Sequence, residues 1–400
     1  MLRYISIIFI SLLSGLYLFE IYLNYLTGPV AKKKEKFNQD LKEHIYKKNS
    51  GKIWDSRTRL EVYIDLKKVN DDVTVRYQPS NFLGEQKNKL FPLSGISNSD
   101  TIHCNENGYF SIYRSDRYGF NNPDEQWNSD EIEYMLIGDS FTHGSCVNRP
   151  NDITSILRFL SNKNALNLGY GGNGPLIEYA VLREYLSPKV KKVLWLYCES
   201  NDLFNLLSER NNKTLNNYLN DKNYSQNLKN KQNEIDILLK NKFDEEFIRK
   251  VKSLESENLN HNDKKENLKY KILRFLRFDK TKKIFRDNET KFDNEIFREF
   301  KTILKSAVEL SKRNNSQFIF VYIPEYSRYN ETNYSNENYL EVISIVKDLD
   351  VDIVDMTQIF AKEDNPKKFF PFEQFAWHYN VDGYKKVAKS IYEITTNNSK

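Results

Sequence analysis

Between Glu131 and Thr395 the chain carries five short apolar runs: Tyr134-Met135-Leu136-Ile137, Ala165-Leu166-Asn167-Leu168, Val193-Leu194-Trp195-Leu196-Tyr197, Phe318-Ile319-Phe320-Val321-Tyr322-Ile323 and Val351-Asp352-Ile353-Val354. Continuous apolar runs of this length suit strands buried on both faces. Helical periods lie between and after them, as in Ile296, Phe300, Ile303, Leu304, Ala307 and Val308, and in Tyr384, Val387, Ala388 and Ile391. Strands alternating with helices require right-handed crossovers, so the expectation is an α/β fold with a five-stranded, mainly parallel sheet covered on both faces. Such sheets bind ligands beyond the carboxyl ends of their strands. Ser140 follows the first run, Gly172 the second, Asn201 the third and His378 the fifth.

Residues 205–292 break the alternation. They are rich in Lys, Asn and Glu and too long for a plain loop, which predicts a helical insertion. One amphipathic stripe runs through Phe243, Phe247, Ile248, Val251 and Leu254, and a basic one through Leu268 to Phe278. The organisation expected is an anchor at 1–28, a stalk and accessory region at 29–130, the main domain in two parts at 131–204 and 293–398, and the insertion between them. Within the accessory region, Leu60 to Tyr77 alternates loosely, as half-exposed strands do.

Tyr4 to Leu26 is apolar apart chiefly from Glu20 and Asn24, long enough as a helix to cross a hydrocarbon core of about 30 Å. An uncleaved single-pass membrane anchor is the expectation; a cleaved signal peptide and a buried helix are the alternatives. The lysines at 32, 33, 34 and 36 would by themselves keep the body in the cytoplasm. The 60 Lys and Arg nearly balance 55 Asp and Glu, giving a net charge of +5, too slight to argue for a nucleic-acid partner. His44, His103 and His261 lack ligand-like spacing with cysteines or carboxylates, so neither a metal site nor a cofactor is expected.

The strand-end residues have one chemistry in common. A serine hydroxyl attacks only when a base takes its proton, and the oxyanion formed needs preorganised N–H donors. Gly138-Asp139-Ser140 puts a serine at a strand-to-helix turn. Asn167-Leu168-Gly169-Tyr170-Gly171-Gly172 offers a loop whose amides are not screened by side chains. Asn201-Asp202 offers a carboxamide, and His378, in His378-Tyr379-Asn380-Val381-Asp382-Gly383, offers the base. Asp139 is expected to shape the turn, and His143 either to touch substrate or simply to begin a helix.

In these residues the chain resembles the SGNH/GDSL hydrolase family. Gly138-Asp139-Ser140-Phe141-Thr142-His143-Gly144 is similar to its first block, Gly172 to its glycine, Asn201-Asp202 to its Asn-Asp block and His378 to its last. The resemblance covers about half the chain and implies a flavodoxin-like three-layer sandwich. It also implies a metal-free acyl-enzyme mechanism, with an oxyanion hole of the Ser140 N–H, the Gly172 N–H and the Asn201 side chain. Tyr113 to Asn121 is similar to a segment preceding the serine block in membrane-anchored bacterial members, which implies an extracytoplasmic, periplasmic body.

The family's acid stands three residues before its histidine, where this chain has Phe375. Glu373 is the first candidate to orient His378. A Ser-His dyad completed by a backbone carbonyl is its equal, and Asp382 is better placed to cap a helix. The expected function is a serine ester hydrolase acting through Ser140, with a small acyl ester or acylated glycan as substrate. An O-acyltransferase and a non-catalytic glycan-binding or scaffold protein are the alternatives. Cys104 and Cys146 flank the segment leading to the serine and can pair, although three reduced thiols fit the spacing as well.

Overall fold

The computed structural model describes residues 2–84, 90–259, 275, 292–375 and 378–397. The chain divides into two units, Met1–Ile53 with Asp244–Lys291, and Trp54–Phe243 with Phe292–Lys400. The expected basic stripe Leu268 to Phe278 lies outside the described residues except at Phe275.

The first unit begins with a helix, Leu2–Tyr25. Its stretch Arg3–Tyr25 is, among the described residues, the one helix long and apolar enough to cross a membrane. A second helix, Ala31–Ser50, ends at Gly51, whose φ of 69° lets its N–H return to the Lys47 carbonyl.

The second unit contains two sheets. The smaller comprises β1 (Val73–Val75), β2 (Asp100–Ile102) and β3 (Ile112–Arg114), with β1 parallel and β3 antiparallel to β2. The helix Arg59–Lys67 packs on it through Val62, against Val73 and Ile102. The loose alternation from Leu60 to Tyr77 therefore yields a strand only at its end. At its start, Thr58 Oγ1 accepts the Glu61 N–H while Glu61 Oε2 accepts the Thr58 N–H, a capping box that commits the segment to a helix.

The larger sheet comprises β4 (Ile132–Gly138), β5 (Ala165–Asn167), β6 (Val190–Cys198), β7 (Gln317–Ile323) and β8 (Asp352–Asp355). All pairs are parallel and the order is β5-β4-β6-β7-β8. That is the doubly wound, flavodoxin-like order, with the switch point between β4 and its two neighbours. Alternate side chains serve opposite faces. Met135, Ile137, Val193, Trp195, Phe318 and Phe320 join a core with the helices Pro175–Tyr185 and Asn294–Arg313. Tyr134, Leu136, Leu194, Leu196, Ile319 and Val321 join another with the helices Ile153–Ser161 and Val381–Asn397. The result is three layers.

Part of the segment read as an insertion also belongs to this unit. Leu215, Tyr218, Leu228, Ile235 and Leu239 are buried in the first of these cores, and the helix Gln232–Leu259 continues beyond them.

Candidate active site

Ser140 opens a four-residue helical turn, Ser140–His143, directly after β4 and Asp139. Asp139 caps it: Oδ1 accepts the Phe141 N–H at 2.8 Å, and Oδ2 lies 3.2 Å from Ser140 Oγ and 3.1 Å from Asn201 Nδ2. Burial raises the Asp139 pKa against the pull of these donors. Gly169, after β5, is forced by proximity, because a Cβ there would stand 2.5 Å from Thr142 Cβ and 2.6 Å from the His143 nitrogen. The serine turn and the glycine loop are thereby packed backbone to backbone.

His378 Nε2 lies 2.8 Å from Ser140 Oγ. On its other side Nδ1 lies 2.9 Å from Glu106 Oε1, while Glu106 Oε2 accepts the His378 backbone N–H at 3.0 Å. A carboxylate at Nδ1 favours the tautomer with its proton there and leaves Nε2 to accept from the serine. Glu106 stands at the tip of the β2–β3 hairpin, in Asn105-Glu106-Asn107-Gly108. Three ties hold that tip: the disulfide Cys104–Cys146, Asn107 Nδ2 donating to the Cys146 carbonyl at 3.0 Å, and Asn105 Nδ2 donating to the Asp55 carbonyl at 2.8 Å. Cys198 is the free, buried thiol.

The expectation for Glu373 is corrected. Its Oε2 accepts from Asn365 Nδ2 at 2.8 Å, and the carboxylate at His378 Nδ1 is that of Glu106. Asp382 lies in the first turn of the last helix, where Asn380 Oδ1 takes the Gly383 N–H. Sequence reasoning missed Glu106. The available signal was Cys146, six residues after the nucleophile: once paired with Cys104, it carries an acid two residues further on to the histidine.

The cleft above the serine, about 250 Å³, is lined by Glu106, Ser140, Phe141, Ser200, Asn201, Glu325, Tyr326 and His378. Asn201 thus faces it while anchored to Asp139. The Ser140 N–H is at the first helical position, where a helix has no internal acceptor. Gly172 adopts φ 82°, and its N–H meets no acceptor among the described residues. Behind it Glu209 accepts the N–H groups of Gly174, Leu176 and Ile177, capping the next helix, and burial raises its carboxyl to about 7. Gly172 itself does not line the cleft; the side chains of Gln78 and Ser80 stand against it.

His143 is buried away from the cleft, its ring stacked 4.6 Å from that of His103, and burial first, then Arg76, lower its pKa to about 3. Glu106, Cys146 and His378 cluster closely enough to suggest a metal, but the disulfide removes the thiolate from that set.

The Tyr113 to Asn121 segment joins the hairpin to the sheet ends. Asn121 Nδ2 donates to the His143 carbonyl, and Asn122 Nδ2 to the Asn167 carbonyl. Buried Asp116 accepts from Tyr118 N, Phe120 N, Asn122 Nδ2 and Trp127 Nε1.

No family model matches the sequence, nor does any curated protein. Among solved structures, the chain is similar to a member of the lipolytic protein G-D-S-L family from Veillonella parvula, at 13% identity and a TM-score of 0.37, over 66% of this chain and 98% of that one. It is also similar to the lipase/acylhydrolase from Enterococcus faecalis, at 10% identity and a TM-score of 0.35, over 67% of this chain and 96% of that one.

Proposed function

We propose that the protein is a serine ester hydrolase that works through an acyl-enzyme on Ser140. The observation that carries this reading is the unbroken chain Glu106–His378–Ser140, at 2.9 and 2.8 Å, opening onto a cleft. Ser140 Oγ attacks the ester carbonyl while its proton passes to His378 Nε2. Glu106 holds the imidazole and offsets the charge it gains. The Ser140 N–H and Asn201 Nδ2, which face the cleft, are the donors for the oxyanion, and the Gly172 N–H, set back from the cleft, is the third. His378 then returns the proton to the leaving alcohol and activates water for deacylation.

The substrate we favour is a small O-acyl group on a carbohydrate or envelope glycan, which the carboxylates of Glu106 and Glu325, the Asn201 carboxamide and the Ser200 hydroxyl lining the cleft can meet. We place the catalytic unit outside the cytoplasm, with Arg3–Tyr25 as its membrane anchor, because the Cys104–Cys146 disulfide persists in an oxidising compartment. Labelling by a fluorophosphonate probe, with p-nitrophenyl acetate turnover measured with and without a sugar acceptor, tests the reading. Wild type is expected to label and turn over, and Ser140→Ala to do neither while keeping its circular dichroism. Equal activity in Ser140→Ala would overturn it, and acetyl transfer to the sugar in preference to water would make it an acyltransferase.

A further inference from the structure

Three arginines close to the accessory sheet have carboxylate partners: Arg57 meets Asp55 and Asp65, Arg114 meets Asp72 and Asp100, and Arg117 meets Asp124. Arg76, immediately after β1, does not. Its Nε and Nη1 are buried without a hydrogen-bond partner, and among the described residues it forms no ion pair. The guanidinium meets the glycine loop end-on through Nη1, so close that a Cβ on Gly171 would fall on top of that nitrogen. The carboxylates whose fields reach it most strongly are Asp139 and Glu106, both already engaged at the nucleophile and the histidine. Burial lowers its pKa despite them.

A second cation acts on the same group electrostatically. Arg59, at the start of its helix, is exposed as a residue and has no ion pair among the described residues; crowding around its head and then repulsion from Arg76 lower its pKa. A guanidinium with buried nitrogens and no ion pair among the described residues, repelled by a second cation, is costly unless an anion joins it. The same edge offers uncharged polar groups, since Ser80 Oγ and the Gln78 carboxamide lie about where a Gly172 side chain would be. The cleft above the nucleophile is lined by Glu106 and Glu325 and by no lysine or arginine, which disfavours an anion there.

We infer that Arg76, reinforced by the charge of Arg59 and with Gln78 and Ser80 on the same edge, forms a binding site for an anionic group, a carboxylate or phosphate, carried by the ester substrate on the Gly171–Gly172 side of Ser140. The inference deepens the esterase reading and rests on it. Arginine suits the task because its planar fork meets either anion through two parallel hydrogen bonds. The substrate is then polar but neutral where it meets Glu325 and Tyr326, and charged at the opposite end.

The test compares three esters on the full-length protein: phenyl acetate, 4-acetoxybenzoate with the charge on the alcohol side, and monophenyl succinate with the charge on the acyl side. Wild type is expected to favour at least one anionic ester by about tenfold or more in kcat/KM, and Arg76→Gln to bring that ratio down to roughly one, with Arg76→Lys between. An anionic preference that is absent in wild type, or that survives Arg76→Gln, overturns the inference. Should Arg76→Gln not fold, wild type decides: inorganic phosphate at constant ionic strength is expected to compete with the preferred anionic ester, and no competition at about 50 mM counts against the site. If wild type hydrolyses none of the esters, the esterase reading fails by itself. The anion site is then read from the phosphate-induced rise in Tm, whose absence overturns it.

Discussion

Ser140 and Glu106 meet the same imidazole from opposite sides, but the chain holds them by different means. Ser140 follows two residues after the end of β4, which is paired with β6 from Ile132 to Gly138 and with β5 from Tyr134 to Leu136. Glu106 rides on a hairpin between two three-residue strands and is fixed by a disulfide and a few side-chain bonds. A position at the end of a central strand inherits the rigidity of the core. A hairpin tip must be tied down individually, and each tie can be cut without unfolding the sheet. The nucleophile half of the site is therefore expected to withstand changes that disable the orienting half.

The largest effect should come from cutting the His378 contact itself. Glu106→Gln keeps the size but removes the charge and one of the two acceptors that His378 uses. By analogy with orienting acids in serine proteases, kcat should fall by about a hundredfold to ten-thousand-fold with Tm nearly unchanged. Glu373→Gln, by contrast, should change kcat by less than about threefold. Steady-state kinetics on the two variants reverses the comparison if their effects are exchanged.

On the strand-end side, Asn201→Ala removes a donor and frees Asp139 Oδ2 from one partner. A loss of about a hundredfold to a thousandfold in kcat is expected, with KM little altered, as for other oxyanion donors. A change confined to KM would instead make Asn201 a substrate-binding residue.

The tether comes next. Cys104→Ser with Cys146→Ser, or reduction by dithiothreitol, leaves the Asn105 and Asn107 bonds in place, so Glu106 should be loosened but not released. The expected loss is about tenfold in kcat, with fluorophosphonate labelling slowed but not abolished. If activity and labelling are unchanged, the hydrogen bonds alone hold the hairpin.

The same contrast explains what could be read from the sequence. The strand ends were legible because buried parallel strands are written as apolar runs, and their order locates Ser140, Gly172, Asn201 and His378 without knowledge of any contact. Glu106 was not legible. It is 272 residues from His378 along the chain, and its neighbours Asn105 and Asn107 look like ordinary hairpin-tip residues. Arg59–Lys67 was misread because Val62 and Ile64 fit a strand alternation as well as a helix, and only the Thr58–Glu61 box distinguishes them. Arg76 gave no signal, since what marks it is the lack of a partner for Nε and Nη1 among the described residues, which only the folded chain reveals.

The smallest effect lies in the segment that joins the two halves. Asp116 collects four donors from Tyr118, Phe120, Asn122 and Trp127, yet burial pushes its carboxyl up to about 6 from an ordinary 3.8. The folded protein then keeps this proton to higher pH than the unfolded chain does. The sign follows: Asp116 contributes most to stability below about pH 4, and that contribution is lost as pH rises through about 6. A rise of this size is worth at most roughly 3 kcal/mol. Asp116→Asn cannot titrate, and with one acceptor oxygen for four donors it should be less stable throughout, by about 1 to 3 kcal/mol. Its deficit relative to wild type should shrink as pH rises from 4 to 6, measured by urea unfolding at closely spaced pH values. A deficit that grows over that interval would mean that the four donors outweigh burial and hold Asp116 as a carboxylate. The joining segment would then be strongest in neutral solution, and the orienting half of the site would be nearly as secure as the strand ends.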